Sequence, residues 1–285
     1  MEKSATFWLW FIVPVVVSVI FFGAFLSRLP LEDADEATYA MVTHEMIGSG
    51  AFMALTLFGE PWVDKPPLLF WMMAGSAKIS GLNEFALRIP SAVFGILAVA
   101  FTLGIIWEFT RNKEAAVFGG LILVLFPLFL AAARNVRMDV PVTTAILAAF
   151  YFFLKGRTRP AFFIGVGTSI AIGVLLKSVV AFLVIPLIFI FSLIYREWGW
   201  LKNKYFWMGN GLGLLVALPW HLYEAQVFGA SFFTKYFGFQ LGRITQNIIE
   251  SGITNGYILW VCWNYGQPWS SIFLVAIALS AILFF

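Results

Sequence analysis

Long apolar runs separated by short charged patches make up most of the chain. A helix needs about 20 apolar residues to cross a bilayer, so the runs predict membrane spans. The run from Ala161 to Tyr195 is long enough for two spans, which we expect to meet at Lys177. The predicted spans are Phe7–Leu26, Ile89–Thr110, Ala115–Ala133, Val140–Leu154, Ala161–Leu176, Ser178–Tyr195, Tyr205–Tyr223 and Tyr257–Phe285.

One polar interval, from Leu31 to Pro67, interrupts this pattern and holds seven of the fifteen carboxylates. We expect two short helices in the loop 27–88 that contains it. Asp35–Ile47 has an amphipathic pattern and is followed by Gly-Ser-Gly, which favours a helix end. Pro66–Ser80 is apolar but short, which favours a helix lying in the membrane interface. If it crossed the membrane instead, every later loop would change sides.

The composition excludes a soluble globular domain. Hydrophobic residues make up 61% of the chain and charged residues 12%, whereas about a quarter of the residues in soluble domains are charged. We therefore predict an all-α integral membrane protein. The net charge of +3 is attributed to residues that flank spans and contact membrane lipids, and no nucleic-acid partner is expected. The single cysteine, Cys262, excludes an internal disulfide.

Three basic patches, with Lys3, are predicted to lie in the cytoplasm by the positive-inside rule. They are 111–114, 155–160 and 195–204. Basic residues divide evenly between the two sides in this topology, but eleven of the fifteen carboxylates fall on the other side. The loops 27–88, 134–139 and 224–256 and the neighbourhood of Lys177 then face outwards, and chemistry is expected there.

Two charged pairs in the polar interval each allow two interpretations. Asp35 and Glu36 follow the first span, where partial desolvation would raise a carboxylate pKa toward that of a general base. A solvated helix N-terminus also favours acidic residues. Asp64 and Lys65 precede two prolines, and this corner is consistent with phosphate or metal contact. It is equally consistent with a helix cap whose lysine reaches toward the headgroups.

Further candidates lie at the outer ends of later spans. A very short link, residues 134–139, joins two spans and carries Arg134, Arg137 and Asp139. Arginine binds phosphate oxygens bidentately. Arginines also commonly anchor helix ends. Lys177, between two membrane helices, favours a functional role because its desolvation must be offset by a phosphate or a carboxylate such as Asp139. Arg243 could reach the same site or lie on the surface.

Seven motifs together resemble one family. In chain order they are DEATYAMVTHEMIGSGAF, GEPWVDKPPLLFW, EFALRIPSAVFG, RMDVP, GVLLKSVVAFLVIP, LPWHLY and FGFQLGRI. Each is weak alone, but their order over about residues 7 to 245 is similar to that of prokaryotic glycosyltransferases with the C-type (GT-C) membrane fold. The resemblance is to the lipid A aminoarabinose transferases and the protein O-mannosyltransferase-like enzymes.

The resemblance implies transfer of a sugar from a polyprenyl-phosphate donor to a lipid, protein or glycan acceptor at the outer, periplasmic face of the plasma (cell inner) membrane. Asp35, with Glu36 beside it, is implied as the catalytic carboxylate of an inverting hexosyl- or pentosyltransferase. The donor phosphate would be bound by basic residues, and two carboxylates would orient the acceptor or a cation. The resemblance places the phosphate role on Lys65, Arg137 and Lys177 and the orienting role on Asp139. By their positions, Arg134 and Arg243 are further candidate phosphate ligands, and Asp64 is a further candidate orienting carboxylate.

Two departures from the family pattern bear on cofactors. Asp64 stands where the aminoarabinose transferases have Glu, and Gln240 stands where they have an outer-loop His. Those positions are associated with a metal in the family, and Asp64 and Gln240 are the candidate ligands if a divalent metal binds here. Family members are also much longer, and residues 1–285 are expected to be the N-terminal portion of a transmembrane glycosyltransferase domain.

A transporter or flippase for lipid-linked sugars is the main alternative, since it would also hold a phosphate with basic residues. That class predicts several charged residues at mid-membrane and symmetry between two halves. Here only Lys177 is deep, and no repeat is present in the sequence. A non-catalytic membrane subunit is a second alternative, against which the DE, DKPP and RMD motifs argue.

Overall fold

The computed structural model describes residues 5–32, 34–236, 238, 260, 261 and 263–284. The described chain is helical apart from one hairpin of two-residue strands, β1 (Thr56–Leu57) and β2 (Glu60–Pro61). The predicted all-α class is confirmed, and the hairpin is the addition that the sequence did not predict. The α-helices with defined bounds are α1 (Ala5–Gly23), α2 (Ala34–Ser49), α3 (Leu68–Ser80), α4 (Glu84–Thr110), α5 (Lys113–Leu125), α6 (Pro127–Arg134), α7 (Asp139–Gly156), α8 (Ile164–Lys177), α9 (Val184–Tyr195), α10 (Lys204–Phe228) and α11 (Trp269–Phe284). Residues 230–236 are also helical.

Three stretches of the described chain are long and apolar enough to cross a membrane: Glu84–Thr110, Asp139–Gly156 and Pro160–Tyr195. There are four if the bent pair α5 and α6 is counted as one span. The predicted span Ala115–Ala133 is occupied by two helices, because the axis bends by 63° between α5 and α6. Pro127 is the cause, since it lacks a backbone N–H and favours the first position of a new helix.

Lys177 marks the predicted break in the long run from Ala161 to Tyr195. α8 ends at Lys177, a 3-10 segment covers Ser178–Leu183, and α9 follows. Ser178 has a φ of 56°, in the left-handed region that non-glycine residues adopt at a cost. The break is therefore a defined, strained turn directly after Lys177.

Both short helices predicted in the loop 27–88 are present. α2 covers Asp35–Ile47 and ends before Gly50, whose φ is 71°. α3 covers the last thirteen residues of Pro66–Ser80 and buries Leu69, Phe70 and Met73 completely. Since α3 packs on α2 and α4, it is part of the bundle. Its position relative to a membrane interface stays a prediction.

The remaining boundaries shift by about one turn. α4 begins before the predicted Ile89 because Asn83 caps it, accepting a 2.9 Å hydrogen bond from the N–H of Ala86. α10 continues past the predicted end at Tyr223 to Phe228. In Tyr257–Phe285, residues 257–259, 262 and 285 lie outside the described chain, and α11 occupies most of the rest.

Contacts between helix termini define two ends of the bundle. Asp139 at the start of α7 meets Lys177 at the end of α8, whereas Glu108 near the end of α4 meets Lys155 near the end of α7. The site end holds the start of α4, the 134–139 link between α6 and α7, and the end of α8. The far end holds the turns at 110–113, 156–163 and 195–204. The largest hydrophobic cluster lies toward the site end and joins α1, α2, α3 and α4. The loop 27–88 is thus held rigidly against the bundle.

Candidate functional site

A buried ion pair organises the site end. Both side chains are nearly inaccessible: Glu36 is 0% exposed and Arg88 is 3% exposed. Arg88 donates from Nε to Oε1 of Glu36 at 3.0 Å and from Nη2 to Oε2 at 2.8 Å. This bidentate geometry is the strong form of an arginine–carboxylate contact. It fixes the first turn of α2 against α4.

The same pair also holds two loops. Arg88 donates to the backbone carbonyls of Leu26, Leu29 and Pro30 at 2.8, 2.7 and 2.8 Å. The Glu36 carboxylate accepts the N–H of Val136 at 2.7 Å. The segment after α1 and the 134–139 link therefore meet at one buried charge pair.

The hydrogen bonds also decide the protonation state of Glu36. Burial by itself raises the pKa of this carboxyl group. The bonds from Arg88, Val136 and Glu32 act in the opposite direction and together hold its pKa below the usual value. Glu36 is therefore an ionised, fully engaged carboxylate. This environment suits a positioning role better than the predicted catalytic one.

Asp35, the next residue, lies in a different environment. Its side chain is 56% exposed, and its Oδ2 lies 3.8 Å from Nη1 of Arg137, which is 36% exposed. The backbone at Arg137 is held by hydrogen bonding with Ser91 on α4, at 3.3 Å. A separation of 3.8 Å is longer than a hydrogen bond. The structure thus brings Asp35 and Arg137 together as a loose, accessible pair.

A second accessible pair lies beside the first. Asp139 is the first residue of α7 and Lys177 the last of α8, and their side chains form a close salt bridge. Asp139 is 58% exposed and Lys177 22% exposed. Each charge is at the helix end that the helix dipole favours. The predicted contact between Lys177 and Asp139 is therefore present.

The DKPP corner approaches the same region. Lys65 is 6% exposed and Asp64 is half-buried. The preceding residue, Val63, belongs to a buried cluster with Leu175 of α8 and Trp220 of α10. Since Leu175 lies two residues before Lys177, the corner packs against the end of α8 that carries the second pair.

Other predicted residues are placed differently. Arg134 donates from Nη2 to the carbonyl of Ala24 at 3.1 Å, which ties α6 to the end of α1. Its role toward phosphate stays a prediction. Arg243 and Gln240 lie outside the described residues. Within the described chain, no group of three or more His, Cys, Asp or Glu residues is arranged to hold a metal. The described residues therefore do not place a metal-binding group of this kind around Asp64.

Sequence reasoning missed two residues of this region. Arg88 lies in the EFALRIPSAVFG motif, and a lone arginine among apolar helix residues is the signal that could have identified it, because its charge needs a buried partner. Glu45 accepts hydrogen bonds from Thr56 Oγ1 at 2.6 Å and from the N–H groups of Phe58 at 2.6 Å and Gly59 at 3.2 Å. It thus holds the hairpin against α2.

Comparison with known sequences gives consistent matches. The sequence model of the dolichyl-phosphate-mannose-protein mannosyltransferase family matches residues 64–223. An uncharacterized protein of Aquifex aeolicus is 30% identical over 214 residues, covering 74% of this chain and 42% of that protein. The undecaprenyl phosphate-alpha-4-amino-4-deoxy-L-arabinose arabinosyl transferase of Shewanella sediminis is 31% identical over 225 residues, covering 73% and 40%. The chain thus spans about two fifths of the length of these curated relatives.

Two solved structures share the architecture. ArnT from Cupriavidus metallidurans bound to undecaprenyl phosphate superposes with a TM-score of 0.80 at 22% identity, covering 95% of this chain and 50% of that chain. The S. cerevisiae protein O-mannosyltransferase Pmt1-Pmt2 complex bound to the sugar donor gives a TM-score of 0.59 at 18% identity, covering 82% and 35%. The predicted membrane helix bundle of the GT-C type is confirmed by these likenesses.

Proposed function

Because the chain belongs to the dolichyl-phosphate-mannose-protein mannosyltransferase family, we propose that it carries the donor-binding and catalytic part of a membrane glycosyltransferase. The sugar comes from a polyprenyl-phosphate-linked donor and passes to a lipid, protein or glycan acceptor. One observation carries the proposal: two accessible carboxylate–cation pairs, Asp35 with Arg137 and Asp139 with Lys177, lie at one end of the bundle.

In the proposed reaction, Asp35 accepts the proton of the acceptor hydroxyl as its oxygen attacks the anomeric carbon. The new carbon–oxygen bond forms while the bond to the phosphate oxygen breaks. The polyprenyl phosphate leaves with that electron pair, and the anomeric configuration is inverted. The exposure of Asp35, 56%, supports this role because an acceptor can reach the carboxylate. Glu36, which is buried, positions Asp35 instead of reacting.

The negative charge that develops on the leaving phosphate requires cations that are already in place. Arg137 suits this task because its contact with Asp35 is long and partly exposed, and such ion pairs contribute little free energy. A phosphate oxygen can therefore compete with Asp35 for this guanidinium. Lys177 is held in position by Asp139, and Lys65, at the DKPP corner, is the third proposed phosphate ligand.

Transfer of radiolabelled sugar tests the catalytic assignment. The protein is reconstituted with synthetic polyprenyl-phosphate sugars, both hexose and pentose, and a membrane extract as acceptor. Asp35→Asn should abolish transfer, whereas Glu32→Gln, an equal loss of charge at an exposed neighbour, should retain it. Equal transfer by Asp35→Asn and wild type would remove Asp35 from the reaction. Movement of labelled lipid across the bilayer without consumption of the donor would identify a transporter instead.

A second experiment tests the basic residues that are proposed to stabilise the leaving phosphate. Lys177→Gln should lower kcat by about 10²–10³, the effect of losing one preorganised donor at a developing charge. Lys78→Gln removes the same charge from the exposed end of α3 and should leave the rate unchanged. A loss confined to KM would place Lys177 in ground-state binding and contradict its role in the transition state.

We also propose that the site end faces the extracytoplasmic side. The far end carries the basic patches 111–114, 155–160 and 195–204, and cytoplasmic loops are enriched in Lys and Arg. In a Cys262→Ser background, a membrane-impermeant maleimide applied to intact cells should label Glu60→Cys and spare Arg159→Cys. The reverse pattern would invert the proposed orientation.

A further inference from the structure

A cavity of about 360 Å³ lies at the far end of the bundle, opposite the candidate site. It is formed where the turn after α7 meets the turn between α9 and α10. Its lining includes the guanidinium-bearing Arg157 and Arg196, the amide of Asn203 and the rings of Phe163 and Trp200. Nothing in the proposed transfer reaction uses this cavity.

The cavity carries positive charge, and one of its two arginines is already held by a carboxylate. Arg157 forms a bidentate salt bridge with Glu197 and lies over the ring of Phe191. Arg196 is exposed and forms no ion pair with another residue of the described chain. The exposed Arg159, Lys202 and Lys204 belong to the same two turns, in which Glu197 is the one acidic residue. The local field therefore attracts an anion.

An apolar surface leads directly into the cavity. On α9, the side chains of Phe189, Leu193 and Ile194 are 54%, 60% and 68% exposed, and Trp198 beside the cavity is 37% exposed. In a membrane protein such a surface contacts acyl chains, and tryptophan favours the headgroup level. An anion that also has acyl chains would match both the basic cavity and the apolar approach.

We infer that this cavity binds the phosphate group of an anionic phospholipid. Arg196 and the side-chain NH₂ of Asn203 contact the phosphate, and the acyl chains lie along the exposed face of α9. Asn203 is oriented for this because its Oδ1 accepts the N–H of Tyr205 at 2.9 Å. Glu197 weakens binding, since it neutralises Arg157. Basic pockets between membrane helices are known headgroup sites.

Native mass spectrometry of the detergent-purified protein tests the inference by comparing retained phosphatidylglycerol with phosphatidylcholine of identical acyl chains. Wild type should prefer phosphatidylglycerol. Arg196→Gln should reduce its retention about fivefold, as expected for one basic residue near an anionic headgroup. Glu197→Gln should increase retention, because Arg157 is released. Lys113→Gln, a charge loss at the far end but outside the cavity, should change nothing.

Headgroup binding predicts that retention of phosphatidylglycerol falls in Arg196→Gln and rises in Glu197→Gln. Damage to the fold would lower retention in both variants. Equal losses in Arg196→Gln and Lys113→Gln would overturn the inference in favour of general surface charge. Binding of inorganic phosphate with no preference between the two lipids would also overturn it, by assigning the cavity to a soluble anion. None of these outcomes depends on glycosyl transfer.

Discussion

Arg88 binds the carboxylate of Glu36 through two hydrogen bonds in surroundings that leave neither side chain more than 3% exposed. The remaining donors of Arg88 are used by three carbonyl groups of the segment after α1. Glu36 is the neighbour of Asp35 on the first turn of α2. The position of the proposed catalytic carboxylate therefore depends on a charge pair that does not itself react.

Replacement of Arg88 by Leu should destabilise the protein by about 3–5 kcal/mol, because the carboxylate of Glu36 would stay buried without its partner. Arg88→Lys keeps the charge but not the fork of donors and should give an intermediate loss. Thermal unfolding in detergent, followed by intrinsic fluorescence, measures both. If Arg88→Leu melted at the wild-type temperature, the pair would contribute nothing to the fold.

The stability contributed by Glu36 should depend on pH. Its folded-state pKa is depressed below the usual value of a glutamate carboxyl group, so the contribution is complete above the unfolded-state pKa. It is lost as the pH falls through the folded-state pKa. The difference in melting temperature between wild type and Glu36→Gln should therefore be constant near neutral pH and shrink below about pH 4.5. A difference that grew on acidification would contradict this sign.

α8 and α10 pack so closely that an added side-chain carbon at Gly209 should destabilise the protein. A Cβ added at Gly209 would lie 2.4 Å from the carbonyl oxygen of Ile164, whereas one added at Gly211 would meet nothing within 4 Å. Gly209→Ala should force the helices apart and cost about 1–3 kcal/mol. Gly211→Ala on the same helix is the matched control and should be neutral or slightly stabilising. Equal melting temperatures for the two variants would contradict the close approach.

Glu45 should hold the β1–β2 hairpin in its folded conformation. Its carboxylate accepts hydrogen bonds from Thr56 and from the backbone N–H groups of Phe58 and Gly59. Glu45→Gln retains one acceptor oxygen and weakens these bonds, so amide exchange at Phe58 and Gly59 should accelerate. Hydrogen exchange with mass spectrometry on peptides from 51–61 measures this, with Glu60→Gln as a control in the same hairpin. Unchanged exchange in Glu45→Gln would show that the hairpin is held by other contacts.

The sequence by itself determined the membrane bundle, the two helices of the loop 27–88 and the break at Lys177. These follow from local causes: the length of apolar runs, the glycine after α2, and the cost of a lysine inside a long apolar stretch. The order of short motifs identified the family. Hydropathy did not show the bend at Pro127, because a proline is compatible with both a kinked and a broken helix.

Only the tertiary structure decided which charges meet. Glu36 and Arg88 are 52 positions apart and Asp139 and Lys177 are 38 apart, and no periodicity links such residues. Asp35 and Glu36 looked equivalent in the sequence, yet successive residues on a helix point in different directions. One carboxylate became a buried structural anchor and the other remained accessible to an acceptor. Burial and pairing, which depend on how the helices pack, separated the two roles.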